Sequence, residues 1–333
     1  MVSFTKTRLQ EIMHRGIGRN IMVVGDLMID RYLWGSVSRI SPEAPVPIIN
    51  IADEETRFGG AANVANNLIG LNAIPIVVGV VGQDTWGEVF RNKLREKGLT
   101  ADGLITDPGR PTTLKTRIIG NNQHIARVDS EAVTGISPET VSRILSYVES
   151  VIGDTDAIIL QDYNKGVMVP ELIAGVIAIA NRHGVRTTVD PKFDNFLTYR
   201  DVTLFKPNRK EAEEALAHRI DSEESTREAG RLLLEKLNAE AVLITLSEKG
   251  MALFQRNQQP FFEKSRARKV ADVSGAGDTV IATITYALAA GATMQEAVSM
   301  ANHAAGVVCG EVGVVPIVHK ELIEAILHAT SSP

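Results

Sequence analysis

Six short, apolar, β-branched runs recur along the chain, at residues 21–25, 76–81, 157–160, 186–189, 203–205 and 241–246. Between them lie longer stretches with helical spacing of apolar residues, at about 61–71, 86–97, 138–151, 170–183, 209–217 and 224–237. Strands and helices in such alternation predict a mostly parallel sheet with helices on both faces, an α/β fold. The later stretches 277–290, 294–309 and 318–329 also read as helices, and no internal repeat or low-complexity linker divides residues 1–333, which are expected to form a single domain.

Two stretches break the alternation. Residues 31–52 carry prolines and an extended pattern, and residues 112–130 read as a hairpin turning at Gly120-Asn121-Asn122-Gln123. Lys115 and Arg117 are two apart and therefore share a strand face. These segments predict a small β lid over the main body.

Bulk composition narrows the partners. The chain is 44% hydrophobic and 23% charged, with 35 basic and 40 acidic residues and a formal charge of −5, so no basic stripe points to nucleic acid. Cys309 is the sole cysteine, which excludes an intrachain disulfide and a cysteine metal cluster. No apolar run reaches membrane-spanning length, and the N-terminal MVSFTKTRLQEIMHRG reads as an amphipathic helix; a cytoplasmic protein with no membrane partner is expected.

The chemistry concentrates in four motifs. In DVSGAGDT, residues 272–279, Gly275, Ala276 and Gly277 precede a helix of small and apolar residues. Free amides at a helix start hold anions, and glycine allows close approach. Asp278 has a plain reading as a first-turn acid and a sharper one as the base for a hydroxyl attacking phosphorus, while the amides stabilise the transferring phosphoryl group. A dinucleotide fingerprint is disfavoured: Val280 stands where Gly or Ala is required, and the preceding stretch 267–272 is only weakly strand-like. In FGGAANVANN, residues 58–67, Gly59 and Gly60 are read as opening a helix, and Asn63 is a candidate for bonding a polyol. Asp26, directly after the first strand, is read in preference to Asp30 as a carboxylate for sugar hydroxyls, against a plainer role as a turn or cap. Asn208 and Glu211, three apart, form either a capping box or part of a Mg²⁺ and phosphate site, with Glu211 holding a metal-bound water. Asp162, Tyr163, Asn164 and Lys165, then Asp190 and Lys192, then Thr245, Ser247 and Gly250 also follow strands, which favours one shared cleft.

Together, the early GG-A-A-N, the middle N-x-x-E and the late G-A-G-D resemble the ribokinase or PfkB family of sugar kinases, over almost the whole chain. The stretches at 25–48 and 58–73, with KTR at 115–117, RVD at 127–129 and QDYNKGV at 161–167, are most similar to its bacterial heptose kinases. The resemblance implies a ribokinase-like fold and an enzyme that uses ATP and Mg²⁺ to phosphorylate D-glycero-D-manno-heptose 7-phosphate at the anomeric hydroxyl. The product feeds ADP-heptose and lipopolysaccharide core synthesis. It implies Asp278 as base, Gly275, Ala276 and Gly277 as anion hole, and Asn208, Glu211, Thr245, Ser247, Gly250 and Asn302 near the nucleotide. Asp26, Gly59, Gly60 and Asn63 are implied on the sugar, and a homodimer through the lid. A sugar already carrying phosphate needs cations away from the attacked hydroxyl; Lys115, Arg117, Arg127, Lys165 and Lys192 are the candidates, with Asp162 nearby. Many heptose kinases continue into a nucleotidyltransferase domain. This chain ends at Pro333, which leaves open whether that activity lies on a separate chain or in a longer one. The alternatives are a PfkB-type kinase of another sugar, sugar phosphate or nucleoside, a sugar-binding regulator without catalysis, and an oxidoreductase.

Overall fold

The computed structural model describes residue 2, residues 4–267 and residues 271–331. The chain begins with α1 (Lys6–Gly16), β1 (Asn20–Gly25), the long strands β2 (Leu27–Ile40) and β3 (Pro47–Gly60), α2 (Ala61–Gly70), β4 (Ile74–Gly82), α3 (Thr85–Glu96) and β5 (Leu104–Asp107). The hairpin β6 (Leu114–Gly120) and β7 (Gln123–Ser130) follows, then α4 (Pro138–Val151), β8 (Ala157–Gln161), α5 (Pro170–His183), β9 (Arg186–Asp190), β10 (Leu204–Phe205) and α6 (Arg209–Leu216). The last third comprises α7 (Glu223–Leu237), β11 (Ala241–Thr245), β12 (Met251–Gln255), β13 (Phe261–Glu263), α8 (Ala276–Ala289), α9 (Met294–Val308) and α10 (His319–Ser331).

The six apolar runs all enter one sheet of order β13-β12-β11-β10-β9-β8-β1-β4-β5. Its pairs are parallel except β11 with β12 and β12 with β13. β1 shows why the runs have no polar face: Ile21 and Val23 join the core on the side of α1, α2 and α8, while Met22 and Val24 join the core on the side of α4 and α5. The sequence reading missed β5, β12 and β13, all towards the sheet edges, two of them only four and three residues long. β4 and β5 lie on one side of β1, whereas the next strand in the chain, β8, lies on the other. That reversal opens a crevice beyond the C-terminal ends of β1 and β8.

The second sheet, β3-β2-β6-β7, is the lid, and its strands reach further than residues 31–52, from Leu27 to Gly60. Gly59 and Gly60 finish β3, and Gly60 is at the same time the N-cap of α2, so the strand runs directly into the expected helix. A Cβ on Gly59 would lie 2.5 Å from Asp30 Oδ2, and Gly60 has φ of +58°. The hairpin turns at Asn121 and Asn122, both with positive φ (52° and 62°), which suits a two-residue turn between twisted strands. Register places Asp30 between Arg57 and Lys115, with Asp129 beyond, and Tyr32 between Glu55 and Arg117, with Arg127 beyond.

α8 is fixed at both ends. Near its start Thr279 donates to Asn67 Oδ1 of α2 at 2.9 Å, and near its end Tyr286 donates to the Met13 carbonyl of α1 at 2.7 Å. The stretch 267–272 before it is not strand at Ala267, Ala271 or Asp272; its residues 268–270 lie outside the described residues.

Candidate active site

Asp278 is the first-turn acid of α8, and it is buried. Its Oδ2 accepts from Asn63 Nδ2 at 2.6 Å and its Oδ1 from the Tyr163 hydroxyl at 2.5 Å, with Gln161 Nε2 at 3.3 Å. Burial pushes its carboxyl up to about 6, assisted by nearby Asp190; the bonds from Tyr163 and Asn63, and the charge of Lys206, hold the rise in check. Such a group is ionised at neutral pH and still basic enough to take a proton.

The amides beside it differ in one respect from the sequence reading. Ala276 N–H is spent on the Val273 carbonyl at 3.2 Å. Among the described residues no acceptor takes the N–H of Gly275, Gly277 or Asp278, so Asp278's own amide replaces that of Ala276 as a free donor. A Cβ on Gly277 would lie 3.7 Å from Asp190 Oδ2 and 3.8 Å from Lys206 Nζ, so that ion pair, 3.0 Å apart, flanks the turn.

Two cavities are lined by residues of this turn. One, of about 250 Å³, is lined by Asp278, Gly275, Gly59, Gly60, Asn63, Tyr163, Asp30 and the lid cations Lys115, Arg117 and Arg127. The other, of about 360 Å³, is lined by Gly277, Ala276, Thr245, Ser247, Gly250 and Asn302, with Val273, Val280, Met251 and Ala305 as apolar walls. Asn302 Nδ2 is already bonded to the Lys264 carbonyl at 2.7 Å, which leaves its side-chain oxygen as the group able to accept.

Asn208 lies alongside this slot, bridged to Thr245, and with Glu211 it forms a complete capping box. Glu211 Oε2 accepts the Asn208 N–H at 2.8 Å, and Oε1 accepts from Lys192. Among the described residues no three His, Cys, Asp or Glu side chains could together hold a metal. Mg²⁺ at a phosphate site needs only one or two carboxylates, the rest being water and phosphate oxygens, so Asp190 and Glu211 match that donor set in kind, Asp190 being paired here with Lys206 and Glu211 with Lys192.

Four candidates stand elsewhere. Asp26 is buried, and its oxygens accept the main-chain N–H of Tyr163 (2.7 Å), Lys165 (3.2 Å) and Val167 (3.1 Å), so it latches the loop after β8 instead of facing sugar. Burial, then the charge of Asp162, raises its carboxyl to about 6 against those three amides. Asp162 is equally occupied, accepting from Asn164 N–H, Tyr199 and Asn195. Lys165 pairs with Glu131 at 2.7 Å, and Lys192 with Glu211; neither lines the cavity at Asp278.

Asp30 lines that cavity in Asp26's place. It is paired with Arg117 at 2.5 Å and seated against Gly59. The signal was present: Met28, Asp30 and Tyr32 alternate on one face of β2, opposite Lys115 and Arg117. Tyr163 and Gln161 were visible only as residues at a strand end, because their role depends on α8, distant in sequence.

A hydroxyl attacking phosphorus needs a base on one side, and charge growing on the phosphoryl group needs fixed donors on the other. One turn of this chain holds a buried carboxylate and, among the described residues, unbonded main-chain amides side by side, an arrangement that could meet both needs. The chain belongs to the pfkB family of carbohydrate kinases, whose profile matches residues 19–320. It is 43% identical over 307 residues to the bifunctional protein HldE of Geobacter sulfurreducens and 44% identical over 302 residues to that of Desulfatibacillum aliphaticivorans. These matches cover 92% and 91% of this chain but 63% and 62% of those proteins, so the chain spans under two thirds of their length. Among solved structures, ribokinase of Arabidopsis thaliana complexed with ribose and ATP matches with a TM-score of 0.71 at 19% identity, covering 93% of this chain and 99% of that one. The fold is ribokinase-like.

Asp278→Asn is expected to lower kcat by roughly 10²–10⁴-fold while calorimetric binding of sugar and nucleotide changes little; near-normal turnover would remove the base assignment. In the unaltered enzyme kcat/KM rises with pH through about 6 and then levels, because the carboxylate form accumulates above its raised pKa. The two acids of the first strands separate by readout. Asp26→Ala lowers stability by about 3 kcal/mol or more in denaturant titrations, since it strands buried amides. Asp30→Asn instead raises KM for the sugar.

Proposed function

We propose that this chain transfers the γ-phosphoryl group of ATP, with Mg²⁺, to the anomeric hydroxyl of D-glycero-D-manno-heptose 7-phosphate, giving the 1,7-bisphosphate. The observation that carries the reading is the position of Asp278, open to a sugar-sized cavity on one side and flanked by free amides on the other. The choice of sugar rests on the similarity of residues 25–48 and 58–73 to the heptose kinases.

Asp278 takes the proton of the anomeric hydroxyl, which is more acidic than an ordinary alcohol. The amides of Gly275, Gly277 and Asp278 receive the charge of the transferring group. Asn63 and Tyr163 hold the carboxylate in line, and Asp30 with Arg117 orients the ring hydroxyls. Asp190 and Glu211 are the carboxylates that would hold Mg²⁺, which when bound would neutralise charge on the phosphates. The slot lined by Thr245, Ser247, Gly250 and Asn302 takes the base and ribose.

We further propose a homodimer formed through the lid, acting in the cytoplasm where ATP is available. Every residue of β7 is exposed, and its Ile125 and Val128, with Ile40 and Ile51 of the neighbouring hairpin, leave apolar side chains on a small open sheet. No helix among the described residues is long and apolar enough to cross a membrane.

With ATP and Mg²⁺, the protein is expected to consume heptose 7-phosphate and form an anomeric phosphate, followed by ³¹P NMR. A higher kcat/KM for another sugar, sugar phosphate or nucleoside in the same panel overturns the choice of substrate. Sedimentation at micromolar protein should give twice the chain mass; a single-chain mass removes the dimer.

A further inference from the structure

The lid cations in the cavity at Asp278 are already neutralised. Lys115 pairs with Asp129 at 3.2 Å and Glu131 at 2.8 Å, Arg117 with Asp30 at 2.5 Å, and Arg127 with Asp129 at 2.8 Å. Strand register enforces this, since Arg57, Asp30, Lys115 and Asp129 stand in one row of alternating charge across the sheet. A phosphate dianion arriving there would have to displace a carboxylate from each cation it used.

A different cavity, of about 520 Å³, adjoins this one and shares Asp30, Asn63 and Val314 with it. It lies between β3, α2, α3 and the segment around residues 312–316. Its walls bring together Arg57 of β3, Lys93 of α3, Lys97 just after α3, and Asn66 of α2. Among the described residues, neither Lys93 nor Lys97 has a carboxylate within 4 Å, and the Asn66 side chain makes no hydrogen bond. Arg57 gives Nε and Nη2 to Glu55, at 2.6 and 2.7 Å, and keeps Nη1. The acids in the wall are Asp30, already held by Arg117, and Glu96. Basic residues in a last helical turn are common for dipole reasons. That accounts for Lys93 at the end of α3, but not for the convergence of cations from a strand and a helix on one hollow.

We propose that this second cavity binds the phosphate of a phosphosugar whose attacked hydroxyl lies at Asp278, through Arg57, Lys93 and Lys97, with Asn66 as a neutral donor. The substrate passes between Asp30 and Asn63, so its two ends occupy the two cavities. The remaining Nη1 of Arg57 together with two mobile ammonium groups suits a dianion, and the two lysines, unlike the lid cations, have no carboxylate within 4 Å among the described residues to displace. The inference rests on the kinase reading above and names the part of the site that selects a phosphorylated sugar over a plain one.

The test compares heptose 7-phosphate with plain heptose, using ATP, in the full chain and in the double variant Lys93→Ala/Lys97→Ala. Both lysines lie at least partly in solvent, so the variant is expected to fold. The kcat/KM preference for the phosphorylated sugar should fall by roughly 10- to 100-fold, with the loss mainly in KM. Charge reversal in Lys93→Glu should raise that KM further. An unaltered preference in the double variant, or a larger loss in Lys115→Ala or Arg127→Ala, overturns the subsite while the kinase reading stands. An unaltered chain that turns over no sugar phosphate at all overturns both.

Discussion

Keeping one carboxylate out of water, while leaving it able to act, is the constraint on which this molecule is built. Asp278 sits at the start of α8 with no exposure to speak of, and an uncompensated charge there would be strongly disfavoured. Three elements remote in sequence answer it: α2 brings Asn63, and the end of β8 with its exit loop brings Gln161 and Tyr163. Asn67, one turn further along α2, ties that helix to Thr279, so donor and acceptor share one rigid unit. The carboxyl near 6 that results is a balance between burial and these bonds, and loosening any of them shifts it.

Asp26 belongs to the same economy without touching the reacting atoms. By gathering the N–H groups of Tyr163, Lys165 and Val167, it fixes the backbone from which the Tyr163 hydroxyl is aimed. Two aspartates four residues apart thus divide the work: one sets a loop, the other enters the cleft. The sequence reading preferred Asp26 because it directly follows the first strand, whereas its side chain is taken up by the exit loop of the neighbouring strand β8.

What was legible followed local rules. Runs without a polar face became central strands, the Asn121-Asn122 pair became the hairpin turn, and G-A-G-D opened a helix. What was not legible needed partners. Gly59 and Gly60 read only as a helix start until β2 and the residue before it are seen pressing against them, Asp30 on Gly59 and the Asp26 carbonyl on Gly60. Lys165 and Lys192 look available until Glu131 and Glu211 are placed beside them. Lys93 and Lys97 drew no notice because an amphipathic helix ending in lysine is ordinary, and only the arrival of Arg57 and Asn66 from elsewhere gives the position meaning.

The distribution of charge then acquires a physical logic. A kinase acting on a phosphosugar must hold two anionic groups in one cleft, and they repel each other through a medium of low dielectric. Here the turn beside Asp278 offers neutral main-chain donors and the dipole of α8. The second sheet carries cations and acids in alternation and adds little net field. Lys93 of α3 and Lys97 just after it, neither with a carboxylate within 4 Å among the described residues, line a second cavity that shares Asn63 with the first. Had Lys93 and Lys97 stood beside Asp278, they would have favoured its ionised form and lowered its basicity. With these two lysines on other walls, it is the nearer Lys206 whose charge tempers the rise caused by burial of the Asp278 carboxyl.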